Sequence, residues 1–327
     1  MLWESGSVSG VSEEAGPLLV IVGPTAVGKT ALTVRLGEAL GGEVVSADSR
    51  QVYRGMDIGT AKPAAKERVR TPHHLIDIRD PDEPLSLAEY QALAYQVIDD
   101  LLARGRLPML VGGSGQYVRA VVEGWGIPRV PPDEALRAEL YAEAEASGHE
   151  ALHTRLRALD PVAAERIDAR NVRRVVRALE VCLVAGRPIS ELQHKSPLPY
   201  RILQIGLTHP RPALYRRADD RVDAMIAAGL VDEVRRLVEA GYGWHLPAMS
   251  SLGYREVGAH LRGESSLEEA VQSIKRETRR FIRQQYNWFR LSDPRICWFD
   301  LEAIALPEVE AALTSLVETT TDDSYWR

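Results

Sequence analysis

Leu18-Leu19-Val20-Ile21-Val22-Gly23-Pro24-Thr25-Ala26-Val27-Gly28-Lys29-Thr30 is the stretch on which the fold turns. Its opening run, Leu18 to Val22, is short, apolar and β-branched and ends on Gly23, as a strand buried on both faces does. From Thr30 the period changes: Leu32, Leu36 and Leu40 fall along one side of a helix, Arg35 and Glu38 lie elsewhere, and Gly41 and Gly42 stop it. Gly23 to Thr30 fits glycine, four residues, then Gly-Lys-Thr, in the strand-to-helix context that gives the match its meaning. Gly23 and Gly28 permit backbone angles that a side chain forbids, so successive amide hydrogens of the loop, whose other members are Pro24, Thr25, Ala26 and Val27, point inward around an anion. The helix start near Lys29 adds its partial positive end. Lys29 reaches terminal phosphate oxygens, and the Thr30 hydroxyl is placed to hold Mg2+. The expected ligand is a polyphosphate; ATP, GTP and a non-nucleotide diphosphate offer nearly the same oxygens.

Further strands are expected at Glu43 to Ser46, Pro108 to Val111, Ile202 to Leu207 and Ile296 to Phe299, with helical patterns between the first three. The alternation implies an α/β fold with a mostly parallel sheet. Ile127 to Pro132 is proline-rich, everything from there to about Ser196 reads helical, and Pro197 and Pro199 mark the return. The expected organisation is a flexible leader over 1–16, a phosphate-loop core over 17–127 and 197–327, and a helical insertion over 128–196. With 45% hydrophobic and 26% charged residues in 327, the chain suits a globular protein. No apolar run approaches the roughly 18 residues a membrane span needs, so a soluble, cytoplasmic protein is expected. Cys182 and Cys297 have no metal-type neighbours and read as small core residues. The net charge of −6 argues against a nucleic-acid partner, yet arginines cluster at Arg166, Arg170, Arg173, Arg174 and Arg177, and with Lys275 at Arg276, Arg279, Arg280, Arg283 and Arg290.

The strand at Glu43 to Ser46 leads into Ala47-Asp48-Ser49-Arg50-Gln51-Val52-Tyr53-Arg54-Gly55-Met56-Asp57-Ile58-Gly59-Thr60-Ala61-Lys62-Pro63. Its carboxyl end is where an open parallel sheet receives ligands, so Asp48 should face the phosphate loop as a base or metal ligand, unless it only caps a turn. This segment resembles the bacterial tRNA dimethylallyltransferases, also called isopentenyl-tRNA transferases. The likeness extends through Pro72-His73-His74-Leu75-Ile76-Asp77, Val111-Gly112-Gly113-Ser114-Gly115-Gln116-Tyr117, Arg177-Ala178-Leu179-Glu180, Gly253-Tyr254-Arg255-Glu256 and Trp288-Phe289-Arg290, leaving out the leader and the tail after about Leu301. Three positions depart from the family: Ser114 for Thr, Gln116 for Leu and Gln284 for Arg.

The resemblance implies a P-loop core with a helical insertion gripping a tRNA anticodon stem-loop. It implies transfer of dimethylallyl from its diphosphate to the exocyclic amine of adenine 37, assisted by magnesium, with no obligate protein partner and no membrane. Asp48 becomes the candidate base and Ser114 a hydrogen-bonding partner of the reacting groups; Arg221, carried over by the family match, would clamp the diphosphate. Arg50 and Gln51, with Ser49 beside Asp48, are placed to touch the base. By the same match, Arg137 and Arg173-Arg174-Val175-Val176-Arg177 lie against the anticodon stem, with Ser250-Ser251-Leu252-Gly253-Tyr254-Arg255 and the 277–284 run, including Arg279, Arg280 and Arg283, elsewhere on the RNA surface. Tyr286, Trp288 and Phe289 read as core. A small-molecule or nucleotide kinase would use the same loop and could use Asp48 to deprotonate a hydroxyl; a non-catalytic RNA switch driven by nucleotide hydrolysis would bind RNA without changing it. An apolar wall for a five-carbon tail would mark the transferase.

Overall fold

Leu18 to Val22 are all fully buried in β1 (Gly16–Val22), and such a strand needs neighbours on both edges and helices over both faces. The computed structural model, which describes residues 15–319, has both. After β1 come α1 (Lys29–Leu40), β2 (Gly42–Ser46), α2 (Ala65–Arg70), β3 (His73–His74), α3 (Leu87–Ala103), β4 (Leu107–Gly112) and α4 (Gly115–Val122). A helical run follows: α5 (Glu134–Ser147), α6 (His149–Leu159), α7 (Pro161–Arg166), α8 (Val172–Ala185) and α9 (Ile189–Leu192). The sheet resumes with β5 (Tyr200–Thr208), then α10 (Arg211–Ala227), α11 (Leu230–Glu239), α12 (Tyr254–Leu261), α13 (Leu267–Trp288), β6 (Cys297–Asp300) and α14 (Leu306–Thr319).

Among the described residues the strands form one sheet, ordered β3-β2-β4-β1-β5-β6 and parallel throughout. The α/β reading holds. Residues 1–14 of the expected leader lie outside the described residues, but Gly16, its last member, is a strand residue paired with Tyr200. Composition reads it as loop; packing needs it bare, since a Cβ there would come within 2.7 Å of Leu102. The two-residue β3, paired with Val44 and Val45, is too short to leave a periodic signal.

The chain divides into two compact units, Glu123–Leu198 and the remainder. In the larger, the sheet and α1 share a core containing Leu19, Ile21, Leu36, Met109 and Ile205, each fully buried side chain contributing roughly 1.5 to 3 kcal/mol. The tail beyond the resembling region adds Val309 and Leu313 to that core, and Glu310 pairs with Arg35 of α1 at 2.8 Å. The smaller unit is wider than the expected 128–196, because its two stems bond to each other: Ser196 donates to the Gly124 carbonyl at 2.9 Å, and Trp125 bridges to Lys195. Asp133, Asp160 and Asn171 cap α5, α7 and α8 through side-chain oxygens. No helix among the described residues is long and apolar enough to cross a membrane.

The smaller unit corrects two assignments. Val175 and Val176 are 0% and 1% exposed and belong to its core, so their side chains cannot touch RNA. Arg137 and Arg177, 28% and 37% exposed, both pair with a fully buried carboxylate: Glu180 accepts from Arg137 Nε at 2.9 Å, Arg177 Nη1 at 2.5 Å and the Asp133 amide at 2.8 Å. Arg177 also donates to the Val130 carbonyl at 2.9 Å. Both guanidiniums pin the entering segment onto α8, while Arg173 and Arg174 stay exposed. Removing one member of a buried ion pair typically costs about 3 to 5 kcal/mol. Glu180→Ala is therefore expected to destabilise this unit by that order, read as faster amide exchange in α5 and α8 with little change in β1 and β4.

Candidate active site

Parallel strands all present their carboxyl ends to one edge of the sheet, and the loops leaving that edge meet. Here they follow β1, β2 and β4. Gly23 and Gly28 have φ of 148° and 115°, and Ala26 sits at 64°, where a side chain is strained. Arg217 on α10 secures that turn by donating to the Ala26 carbonyl at 3.0 Å. Lys29 folds back over the loop, its Nζ donating to the carbonyls of Gly23 at 2.9 Å and Pro24 at 3.0 Å. Burial, and then the Arg221 charge, lower the Lys29 amine to about 8, against the opposing pull of Asp48. Thr30 follows in the first turn, its hydroxyl making no hydrogen bond among the described residues. That is an uncommitted hard oxygen donor, the kind magnesium takes alongside phosphate oxygens and water.

Asp48 both caps a turn and faces the site. Its Oδ1 accepts from the Arg50 amide at 2.9 Å and the Gln51 amide at 3.4 Å, which orients the carboxylate and leaves Oδ2 for other chemistry. Ser114 Oγ accepts from the Ser49 amide at 3.0 Å and donates to Ser49 Oγ at 3.3 Å, tying the loop after β4 to the loop after β2. Thr25, Asp48, Ser49, Arg50, Ser114 and Arg221 line one cavity of about 550 Å³, within the range of small-ligand pockets. Apolar side chains line it too, Val222 and Met225 of α10, Leu252, and Ile274, Phe281 and Trp288 of α13, the last helix also contributing Glu277, Thr278 and Arg280. Trp288, read from sequence as core, faces this cavity, whereas Phe289 is 3% exposed and is core.

Gly59, Thr60 and Ala61 line the cavity too, and the buried Glu233 of α11 holds their loop. Its carboxylate accepts from the amides of Asp57 at 3.0 Å, Ile58 at 2.8 Å and Gly59 at 3.1 Å, and from the Tyr254 hydroxyl at 2.6 Å. Sequence reading missed Glu233, since nothing in its neighbourhood distinguishes it from other helix glutamates. Two proposed contacts, Gln51 and Tyr254, are corrected here. Gln51 is consumed internally: its Nε2 donates to the carbonyls of Thr60 and Ala61, both at 3.2 Å, and its Oε1 accepts from Ser46 at 3.4 Å. Tyr254 is fully buried behind Glu233. Arg279 pairs with Asp219 through one edge of its guanidinium, Nε donating to Oδ1 at 3.0 Å and Nη2 to Oδ2, while 43% of its side chain stays exposed. By contrast Arg280, Arg255, Leu252, Gly253 and Ser250 do line the cavity, as does Ser251, whose hydroxyl is given to the Ala248 carbonyl. Arg283 is exposed and reaches the Tyr215 hydroxyl at 3.4 Å.

Residues 51–292 match the family model described as IPP transferase. A tRNA dimethylallyltransferase of Roseiflexus castenholzii is 54% identical over 308 residues, 94% of this chain and 99% of that one. The crystal structure of a full-length tRNA isopentenylpyrophosphate transferase from Bacillus halodurans is similar with a TM-score of 0.70 at 42% identity, covering 94% of this chain and 97% of the other. A eukaryotic dimethylallyltransferase acting on tRNA shares the fold, with a TM-score of 0.78 at 24% identity over 93% of this chain and 80% of that one.

An ammonium poised at about 8 makes anion binding at the loop depend on pH two units below an ordinary lysine's range. The protonated form binds, so the advantage of the parent protein over Lys29→Met for inorganic diphosphate is expected to be full below about pH 7. It should then shrink, approaching about tenfold per unit above about pH 8, by calorimetry.

Proposed function

The chain belongs to the IPP transferase family, and we propose that, as a tRNA dimethylallyltransferase, it carries dimethylallyl from dimethylallyl diphosphate to the exocyclic amine of adenine 37, releasing diphosphate. One observation supports the reading of the substrate: Thr25 of the phosphate loop, Asp48, Ser114 and Arg221 line a cavity together with a set of apolar side chains. A hydrocarbon tail suits those side chains, and a kinase would have no use for them there.

Breaking the allylic carbon–oxygen bond spreads positive charge over five carbons and builds negative charge on the diphosphate. Loop amides, the Lys29 ammonium and Arg221 stabilise that growing charge, each well-placed donor contributing roughly 3 kcal/mol. A magnesium ion held by Thr30 and substrate oxygens would, when bound, supply further neutralisation of the leaving group. The adenine amine is conjugated with its ring and weakly nucleophilic, so a base must take its proton as the new bond forms. Asp48 Oδ2 does so, with Oδ1 fixed by the Arg50 and Gln51 amides. Ser114 steers the amine by hydrogen bonding.

The target base lies in a loop, where extrusion costs only a few kcal/mol. Arg50, Arg255 and Arg280 at the cavity engage the extruded nucleotide and its neighbours. Arg173 and Arg174 of the insertion serve the anticodon-stem phosphates, the contacts that supply most of the affinity. Such work takes place in the cytoplasm.

The decisive experiment is mass spectrometry of an unmodified anticodon stem-loop incubated with the protein, magnesium and dimethylallyl diphosphate. Gain of one dimethylallyl group on adenine 37, absent when ATP replaces the diphosphate, is expected; ATP consumption without gain would give the loop to a kinase. In the same assay Asp48→Asn is expected to lower turnover by about 10²- to 10⁴-fold while binding the stem-loop about as well as the parent. Undiminished turnover would remove Asp48 from the mechanism.

A further inference from the structure

Gln285 is 4% exposed, yet its polar end reaches the cavity. From α13 its Oε1 accepts from the amide of Thr25 in the phosphate loop at 2.9 Å, and its Nε2 donates to the carbonyl of Gly113 at 3.1 Å. A backbone amide needs an acceptor and a carbonyl needs a donor, so one carboxamide satisfies both and its orientation is dictated. Gly113 must be glycine for the bridge to close, because a Cβ there would lie 2.2 Å from Gln285 Nε2. The next residue, Ser114, is the one that ties the loop after β4 to Ser49 and the Asp48 turn. Gly115 is likewise pressed under Trp288 of α13, 2.1 Å from where a Cβ would stand.

We propose that Gln285 is a positioning residue that clamps the diphosphate loop to the Ser114 loop, holding the leaving-group side of the cavity and the acceptor side at one separation. The inference rests on the transferase reading above. It explains why a buried amide stands on the apolar face of α13, four residues after Phe281 and three before Trp288. Without the clamp the phosphate loop loses the acceptor of its Thr25 amide, the distance between the breaking and forming bonds is no longer set, and misplacement on the ångström scale is worth roughly hundredfold in rate.

Two variants test this. Gln285→Ala is expected to lower kcat roughly hundredfold with the KM for the stem-loop little changed, and to weaken binding of inorganic diphosphate. In Gln285→Glu one oxygen still accepts from Thr25, but the other faces the Gly113 carbonyl and repels it until protonated, and burial raises the carboxyl into an accessible range. The ratio of Gln285→Glu to parent kcat should therefore rise as pH falls from about 8 to about 5, spanning a raised carboxyl pKa; dividing by the parent cancels titration of shared groups. A ratio flat across that range, or Gln285→Ala at the parental rate, overturns the proposal. A parent enzyme without transfer activity would instead strike the transferase reading, and the diphosphate affinities would still decide whether Gln285 shapes the loop.

Discussion

The site depends on β1 being hydrogen-bonded on both edges. Val22 is in register with Gly112 of β4 on one side and Gly206 of β5 on the other, so the phosphate loop begins at a height it cannot alter without breaking two ladders. The neighbouring strand ends approach so closely that side chains are excluded: a Cβ on Gly23 would lie 2.6 Å from the Leu207 carbonyl, and one on Gly112 would lie 2.1 Å from that of Ala47. Glycine here serves proximity as much as backbone angle. Bringing the loops together buries Lys29, and that burial, helped by the Arg221 charge and opposed by Asp48, lowers its affinity for protons.

Charge is sorted rather than spread. Many arginines that look available in one dimension are internally paired, by Glu180 in the insertion and by Asp219 beside α13. Others, Arg221 and Arg280 among them, line the cavity, and Arg173 and Arg174 are exposed. The buried carboxylates do positional work: Glu233 collects three successive amides and a tyrosine hydroxyl to hold one cavity wall, as Gln285 joins two others. Left unpaired in the interior, each of those amides would cost about 1 to 3 kcal/mol, so these anchors bear on folding and on catalytic geometry together.

The strand and helix carrying the phosphate loop, the parallel sheet and the helical insertion were legible because each is written in a few adjacent residues: an apolar run, a leucine period, a glycine spacing, a proline cluster. Asp48 and Ser114, singled out through a long resemblance, do line the cavity, as Thr25 of the loop does. What local pattern could not decide was who pairs with whom. Gln51 looked like a base contact and is a loop brace; Arg137 and Arg177 looked like RNA contacts and are partners of Glu180; Tyr254 looked surface-facing and is buried. Gln285 and Glu233 gave no signal at all, because Thr25 lies 260 residues from Gln285 and Asp57 lies 176 from Glu233. The sequence alone thus determined most of the elements and the backbone form of the Gly23 to Thr30 loop, since those depend on backbone angles and short-range periodicity. Which polar groups were spent internally and which remained for substrate was decided only by tertiary structure, because desolvation and hydrogen-bond geometry exist only once distant segments have packed.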